Sequence, residues 1–337
     1  MTTETPAQAP PATGAAAPVI DAVVIGRNEG ERLVAGLTSL QGKVRRLVYV
    51  DSGSTDGSVA AAHRLGAEVI ALDPAVPFTA ARARNAGLAH LAPQAPEFVQ
   101  MLDGDCSLQP GWLETGAAFL RENPKAALVF GRLRERFPEA SVYNRLCDWE
   151  WDVPVGQVRA CGGAILLRWP AIRQVDGYRD GVIAAEDDEM CQRLLAAGWQ
   201  LWRVKDEMAF HDAAIFRLGQ WWRRNVRAGH GFAEVGALHP GHFVAARRRM
   251  WIWGAVLPLL FVIFLFWQWQ LALVVLALYA ASFARGLRRF RRGGMTLRQA
   301  AAASGLITLS KLPNLQGALT YYRRRWRGEA PHIIEYK

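Results

Sequence analysis

The chain has 337 residues, of which 51% are hydrophobic and 21% charged, and this composition excludes a fully disordered or collagen-like protein. Its four cysteines stand singly, without a Cys-x-x-Cys pair, so neither a zinc ribbon nor a disulfide scaffold is expected. The net charge of +10 is unevenly distributed. Residues 1–212 hold 21 Lys or Arg and 27 Asp or Glu, whereas residues 213–328 hold 18 Lys or Arg and a single acidic residue.

The first 18 residues are rich in Ala, Pro and Thr and contain no Lys or Arg. They lack both the basic and the apolar region of a signal peptide, so the sequence predicts a disordered tail over residues 1–18. The domain that follows is therefore expected to stay in the cytoplasm.

Short apolar runs alternate with helical patterns from residue 19 to about residue 212. The runs predict buried strands, and the segments between them contain good helix formers. This βαβα alternation predicts an α/β fold with a Rossmann-like, mostly parallel sheet and helices on both faces. Strands are expected at residues 19–25, 44–50, 68–71 and 98–102, and helices at 29–40, 57–65 and 78–90.

The longest apolar run covers residues 251–284 and is interrupted only at Gln268 and Gln270. Three arginines precede it and five follow it, the pattern expected of cytoplasmic flanks. A single helix of 34 residues would measure about 51 Å, whereas a hydrocarbon core is about 30 Å thick. We therefore expect a transmembrane hairpin over residues 241–292, with helices at about 251–267 and 271–286, in a membrane such as the bacterial inner membrane.

The basic residues thus bracket helices of membrane length, so membrane lipids are expected partners and nucleic acid is not. A buried core hairpin is the soluble alternative. Residues 299–319 are rich in Ala and broken by Lys311 and Pro313, and they fit either an interfacial helix or a third span. Residues 293–337 are accordingly assigned to a membrane-associated helix and a C-terminal tail.

Polar motifs follow three of the predicted strands at their carboxyl ends, where ligands bind in open α/β sheets. Asp103 and Asp105 follow the fourth strand, and such a pair suits a divalent cation held together with phosphate oxygens, although turns use the same residues. Asp51 follows the second strand, where it could accept a hydrogen bond from a base or ribose, or shape a turn before the next helix. No Gly-x-Gly-x-x-Gly opens the first helix and no P-loop motif occurs.

Six motifs in this order resemble the family 2 glycosyltransferases with a GT-A-type fold. The resemblance covers about residues 19–227, and membrane segments after it are common in that family. It is carried by VVIGRNE (23–29), VDSGSTDGS (50–58), ARNAG (83–87), LDGD (102–105), CGGA (161–164) and EDDEMCQRL (186–194).

The resemblance implies a catalytic domain over residues 19–240 that transfers a sugar from a nucleotide-diphosphate sugar, by default a UDP-sugar, with inversion. It implies that Asp103 and Asp105 hold Mn²⁺ or Mg²⁺, that His211 completes the metal shell unless it is a packed histidine, and that Asp187 is the catalytic base. Acid enrichment at a helix N-terminus is the structural alternative for residues 186–189. Donor-binding roles are implied for Arg27, Asn28, Glu29, Asp51, Arg84, Asn85, Asp103, Gly162, Gly163 and Glu186.

The sequence departs from the family pattern in two places. The usual Pro-Thr-Tyr-Asn is Ile-Gly-Arg-Asn at residues 25–28, so contacts to the base are expected to differ. The Gln-x-x-Arg-Trp motif of processive synthases is reduced to QWWRR at 220–224, which favours addition of one sugar. Gln220, Arg223 and Arg224 are candidate contacts to a phosphate or to the acceptor, or belong to an interfacial helix.

The expected function is thus metal-dependent transfer of a single sugar to a lipid-linked or membrane-proximal acceptor. A processive polysaccharide synthase is the alternative within the same class of enzyme. A non-catalytic membrane scaffold that keeps the fold is the alternative outside it, and the intact Asp103, Asp105 and Asp187 argue against it.

Overall fold

A computed structural model describes residues 17–329 and residues 333 and 334. Most of the predicted N-terminal tail, residues 1–16, and most of the last eight residues lie outside this described part. The first strand begins at Ile20 and the last helix ends at Arg327.

In the part of the chain that the structure describes, nine strands form one sheet in the order β3-β2-β1-β4-β8-β6-β9-β5, and β7 pairs with β9. The strands are β1 (Ile20–Gly26), β2 (Leu47–Asp51), β3 (Glu68–Ala71), β4 (Phe98–Asp103), β5 (Cys106–Leu108), β6 (Ala126–Glu135), β7 (Gly156–Val158), β8 (Ile165–Arg168) and β9 (Gln200–His211).

The sheet is mixed α/β, and it is less uniformly parallel than the sequence predicts. Strands β1 to β4 pair in parallel, as the alternating pattern indicates. The later strands pair both ways: β8 is antiparallel to β4 and β6, β9 is parallel to β6, and β5 and β7 are antiparallel to β9. Prediction from the alternation works only where each strand is followed by a crossover helix, and that regularity ends after β4.

Within the described residues, thirteen α-helices accompany the sheet, together with a 3₁₀ turn (Ala92–Gln94) and a π-helical turn (Ile252–Val256). The first seven are α1 (Glu31–Leu40), α2 (Ser58–Arg64), α3 (Ala80–Leu91), α4 (Trp112–Glu122), α5 (Val142–Glu150), α6 (Trp169–Gln174) and α7 (Glu186–Ala196). The last six are α8 (Leu218–Leu238), α9 (Val244–Trp251), α10 (Leu257–Trp267), α11 (Trp269–Arg292), α12 (Leu297–Leu309) and α13 (Lys311–Arg327).

Strand β1 is central and buried on both faces, because β2 and β4 flank it and helices cover the sheet. Its one charged residue, Asp21, is fully buried and accepts two hydrogen bonds from the Arg45 guanidinium, at 2.9 and 2.6 Å. Helix α3 approaches the strand closely, since a Cβ at Gly87 would lie 2.3 Å from a methyl carbon of Val23. This packing fixes the carboxyl ends of β1, β2 and β4 side by side.

Among the described residues, two helical runs are long and apolar enough to cross a membrane, Val244–Trp267 and Trp269–Arg292, with 24 residues each. Each run is about 36 Å long, and each starts or ends in the arginines that the sequence analysis placed outside the spans. The chain reverses at Gln268, between Trp267 and Trp269, which are 73% and 60% exposed.

Helices α12 and α13 are not among these candidate spans within the described part. Instead α13 lies directly against α8. A Cβ at Gly229 of α8 would lie 1.9 Å from the backbone oxygen of Asn314, and a Cβ at Gly317 of α13 would lie 1.9 Å from that of Val226. The two helices therefore touch backbone to backbone, and α13 packs along α8.

Candidate active site

One cavity of about 850 Å³ lies beyond the carboxyl ends of β1 and β4. The sequence motifs that follow these strands line it, and so does the beginning of α7, from Glu186 to Asp188. The predicted site residues that line the cavity are Arg27, Asn28, Glu29, Arg84, Asp103, Asp105, Glu186, Asp187, His211 and Arg224.

Arg84 of α3 lies at the centre of the acidic side of this cavity and is 2% exposed. It donates hydrogen bonds to Asp103 Oδ1 at 2.8 Å and to Glu186 Oε1 at 2.7 Å, and its Nη1 lies 3.5 Å from Asp187 Oδ1. Burial alone would lower the pKa of Arg84, but the charges of Asp187, Asp103 and Glu186 more than offset this and raise it. A single guanidinium thus joins the end of β4 to the beginning of α7.

Asp187 lies in the first turn of α7 and is nine-tenths buried. Burial raises the pKa of its carboxyl well above the usual range; the charge of Arg84 opposes this, and those of Glu186 and Asp103 add to it. Its Oδ1 is buried and accepts no hydrogen bond from the residues that the structure describes. The preceding residue, Ala185, has a φ of 60°, a left-handed conformation that is uncommon for alanine and that turns the chain into the helix at this point.

The pKa of Glu186 moves the opposite way. Burial would raise it, but the charges of Arg84 and Arg227 outweigh burial and lower it. Two neighbouring carboxylates in one helical turn therefore have pKa values shifted apart, a pattern that is common at functional sites.

Asp105 and His211 come together because β5 pairs with the end of β9. His211 Nε2 lies 3.2 Å from Asp105 Oδ1, and ligand atoms of Asp105, Cys106 and His211 all lie within 4.8 Å of one another. His211 Nδ1 is buried without a hydrogen-bond partner in the described part of the chain. A carboxylate and an imidazole are suitable ligands for Mn²⁺, so these residues fit the predicted cation, whereas the thiol of Cys106 suits softer metals.

Asp103, the other predicted metal ligand, is oriented toward Arg84 and not toward His211. Its side chain is 35% exposed, so one carboxylate oxygen is accessible from the cavity. The structure thus brings Asp105 and His211 together directly, and places Asp103 beside them in the same cavity.

The loop residues that were predicted to contact the nucleotide form contacts with other protein groups at the edge of the cavity. Asn28 accepts a hydrogen bond from the Thr55 backbone N–H at 2.7 Å, and the Arg27 guanidinium stacks on the ring of Phe78 at 4.5 Å. Asp51 does not line the cavity; its carboxylate is buried and accepts hydrogen bonds from the Tyr49 hydroxyl and the backbone N–H groups of residues 53 and 54. Asp51 therefore shapes its own turn, which is the local alternative that the sequence left open.

Three further residues that were predicted to bind the nucleotide sugar lie behind the cavity wall. Asn85 donates to the Tyr178 backbone oxygen and to Asp180 Oδ1, and accepts from the Tyr178 N–H, so it fixes the loop before α7. Gly162 and Gly163 do not line the cavity. A Cβ at Gly163 would lie 2.2 Å from Nη2 of Arg84, so this glycine leaves room for the guanidinium.

Of the three residues predicted to contact a phosphate or the acceptor, only Arg224 lines the cavity, where its guanidinium pairs with Glu150 at 2.9 Å. Arg223 does not line it. Gln220 Oε1 accepts hydrogen bonds from the backbone N–H groups of Phe216 and Arg217, so its amide caps α8 and does not line the cavity.

Most of the opposite wall lies outside the predicted site residues. Arg227 of α8, Arg249 of α9, and Ser310, Lys311 and Asn314 at the junction of α12 and α13 all line the cavity. Arg227 belongs to the same basic segment as Arg223 and Arg224, and Lys311 is a single charge inside an Ala-rich stretch. Only the tight contact between α8 and α13 brings that charge to the site.

Residues 21–175 match the model of glycosyl transferase family 2. A pre-mycofactocin glycosyltransferase of Mycobacterium tuberculosis is 28% identical over 236 residues, which cover 66% of this chain and 48% of that protein. This chain thus spans about half the length of that curated relative. The glycosyltransferase AglE of Haloferax volcanii is 24% identical over 260 residues, covering 72% of this chain and 82% of that protein.

The fold has a solved counterpart in the mannosyltransferase PcManGT from Pyrobaculum calidifontis, determined in complex with GDP-Man and Mn²⁺. The two chains superpose with a TM-score of 0.58 at 18% identity, over 88% of this chain and 87% of the other. This likeness confirms the GT-A-type fold that the sequence motifs imply. Residues 21–175, somewhat less than half of the chain, thus resemble glycosyl transferase family 2, and the chain has a GT-A-type fold.

Proposed function

We propose that this protein transfers a single sugar from a nucleotide-diphosphate sugar to an acceptor at a membrane surface, with inversion at the anomeric carbon. One observation carries the proposal: the buried carboxylate of Asp187 opens into the same cavity as Asp103, Asp105 and His211. A base for the acceptor and ligands for a phosphate-bound cation therefore face one space. The relatives that are named glycosyltransferases support this class of reaction.

Asp105 and His211, with Asp103 beside them, would hold the divalent cation. Bound there, Mn²⁺ or Mg²⁺ supplies positive charge that neutralises the departing diphosphate. The ion in the PcManGT complex is Mn²⁺ and its nucleotide sugar is GDP-Man, which makes both GDP- and UDP-sugars reasonable donors to test here.

Asp187 performs the proton transfer. The acceptor hydroxyl attacks the anomeric carbon from the side opposite the diphosphate, and the Asp187 carboxylate accepts the hydroxyl proton. Arg84 holds this carboxylate in place, and its charge opposes the rise in pKa that burial causes. Displacement in one step inverts the configuration at that carbon.

We place the catalytic domain on the cytoplasmic side and the helices Val244–Trp267 and Trp269–Arg292 in the membrane. Their exposed surface is strongly apolar: Leu259, Phe266 and Trp267 are 62%, 89% and 73% exposed. The arginines that follow the apolar part of α11 support a cytoplasmic position for its C-terminal end. The incomplete QWWRR motif, in which Gln220 caps α8, supports addition of one sugar.

The test combines donor binding with turnover in the detergent-solubilised full chain. UDP- and GDP-sugars with Mn²⁺ are expected to raise the melting temperature, and omission of Mn²⁺ or the change Asp105→Asn should abolish that shift. Asp187→Asn should keep the shift and lower transfer by about 10²- to 10⁴-fold. Asp206→Asn removes an exposed carboxylate outside the cavity and serves as the control with unchanged turnover. Full turnover by Asp187→Asn would exclude the proposed base.

A further inference from the structure

The cavity has a second, cationic wall that lies outside the family match over residues 21–175. It is formed by Arg227 of α8, Arg249 of α9 and Lys311 of α13. The three residues are far apart in the sequence and belong to none of the six motifs. Folding alone brings them to the same cavity as Asp187.

No carboxylate of the described residues lies within salt-bridge distance of these cations, although Glu186 and Glu150 interact with Arg227 and Lys311 at longer range. Within the described residues, Arg227 and Arg249 form no hydrogen bond or ion pair, and Lys311 donates to Ser310 Oγ at 3.0 Å. Burial lowers the pKa of Lys311, and the positive charge of Arg249 lowers it further, whereas Glu150 opposes the change. Arg249 and Lys311 therefore repel each other, and a bound anion would relieve this repulsion.

Asn314, one helical turn after Lys311, adds an unsatisfied polar group to this wall. It is 6% exposed, lines the cavity, and its amide oxygen has no hydrogen-bond partner in the described part of the chain. A buried polar atom without a partner costs free energy that a ligand can recover. Cations and an amide together are the groups that bind a phosphate bearing a neighbouring hydroxyl.

The position of the wall identifies which substrate carries that phosphate. Arg227 lies close enough to α7 to lower the pKa of Glu186, the residue before Asp187. The base must contact the acceptor hydroxyl, so an anion beside it belongs to the acceptor. The diphosphate of the donor is matched by the cation at Asp105 and His211, on strands β5 and β9.

The same wall adjoins an apolar cavity of about 570 Å³ between the membrane-length helices and α12. Trp253 lines it one helical turn after Arg249, and Leu312 lines it next to Lys311. The remaining lining is likewise mostly apolar and is made by Pro258, Tyr279, Ala280, Phe283, Gly305, Thr308 and Leu309. A cationic site thus lies directly beside a space that suits hydrocarbon.

We propose, building on the proposed function, that Arg227, Arg249 and Lys311 bind the phosphate of a lipid acceptor whose hydrocarbon chain enters the apolar cavity. In the transfer step, a hydroxyl oxygen of the lipid headgroup bonds to the anomeric carbon, and the bond from that carbon to the diphosphate oxygen breaks. The hydroxyl proton goes to Asp187, and the nucleoside diphosphate leaves with the electron pair.

The test measures binding of dioctanoyl phosphatidic acid to the detergent-solubilised full chain. Dioctanoylglycerol provides the chains without the phosphate, and glycerol 3-phosphate the phosphate without the chains. We expect the phosphatidic acid to bind at least tenfold more tightly than either. Arg249→Gln and Lys311→Gln should each weaken its binding about tenfold, the loss of one charge-assisted hydrogen bond. Arg248→Gln, which removes an exposed neighbouring charge that does not line the cavity, should leave it unchanged.

Three results would overturn the proposal. Equal losses in Arg248→Gln and Arg249→Gln would mean general attraction to a basic surface. Equal binding of glycerol 3-phosphate would mean a soluble phosphorylated acceptor. Loss of the melting-temperature shift with donor and Mn²⁺ in Arg249→Gln and Lys311→Gln would assign the cations to the donor diphosphate. Absence of transfer from every donor, with lipid binding as expected, would instead count against the proposed function alone.

Discussion

Asp187, the proposed base, depends on one buried cation, Arg84, for its position. Arg84 is surrounded by three acids, and the removal of any such central charge leaves the others uncompensated in a region of low polarity. The arrangement keeps Asp187 in place while burial raises the pKa of its carboxyl. A base with a raised pKa accepts a proton more readily than an ordinary aspartate does.

The pH dependence of transfer should show this directly. Asp187 acts as a base only when it is deprotonated, so turnover should fall as the pH drops through its pKa. An ordinary aspartate has a pKa of about 3.9. Because burial raises the pKa of Asp187, the fall in turnover should occur at a higher pH than this. The pH profile of kcat at saturating donor and Mn²⁺ measures it. Constant kcat down to about pH 4 would contradict the role assigned to Asp187.

Changes at Arg84 give this prediction a control. Arg84→Gln removes the charge that lowers the pKa of Asp187, so the acidic limb of the profile should move to higher pH. Arg84→Lys keeps a charge and should move the limb less. A limb that does not move in Arg84→Gln would mean that another group titrates.

At this scale, sequence reasoning locates a residue correctly where its position follows from a local motif. Asp105 and Asp187 line the cavity as their motifs predict, because each lies at the end of a strand or the beginning of a helix. It misses the final use of Asp51 and Gln220, whose side chains satisfy nearby backbone N–H groups. Such short polar side chains compete between backbone and ligand, and only the folded loop decides between them.

At the scale of elements, the crossing of α8 and α13 determines one wall of the cavity. Gly229 and Gly317 allow the two backbones to touch, and this contact brings Lys311 and Asn314 to the site. Neither glycine can accept a side chain without displacing the other helix. The pair is therefore a structural requirement for the cationic wall.

Gly317→Ala should lower the free energy of unfolding by roughly 1–3 kcal/mol, because its Cβ would overlap the backbone oxygen of Val226. Gly219→Ala makes the same change in the first turn of α8, where an added Cβ would meet no neighbouring atom within 4 Å. This substitution should be neutral or should stabilise the protein by up to about 1 kcal/mol. Thermal unfolding of both variants measures the difference. Equal stability would mean that α8 and α13 do not pack this tightly.

The sequence could not have located this wall. The βα alternation of the first hundred residues predicts β1 to β4 because each strand and helix has its own periodicity. The Ala-rich stretch around Lys311 has no comparable signal, since small residues suit an interfacial helix, a span or a close helix contact equally. Only a contact between residues 226–229 and 314–317 distinguishes these possibilities.

At the scale of the whole molecule, the charge asymmetry and the two apolar helices lead to one topology. The helices Val244–Trp267 and Trp269–Arg292 are joined at Gln268, so both arginine clusters lie at the same end of the pair. Positive residues stay on the cytoplasmic side. The catalytic domain and the arginines should therefore share that side, with Trp267 and Trp269 at the opposite interface.

Cysteine labelling in intact cells tests this topology. In a variant without the four native cysteines, Gln268→Cys should react with an impermeant maleimide added outside. Arg288→Cys should react only after the membrane is opened. Reaction of both positions from the same side would mean that the hairpin lies in the interface and does not cross the membrane.

Residues 305–314 have a consequence for how the molecule responds to its surroundings. Ile307, Ser310 and Lys311 lie on one side of this segment and face the cavity that Asp187 lines. Thr308, Leu309 and Leu312 lie on the other side and face the apolar cavity. A tilt of this segment would change the shape of both cavities together. Bilayer thickness and lateral pressure would then change the turnover rate. The rate measured in micelles should therefore differ from the rate measured in native lipid.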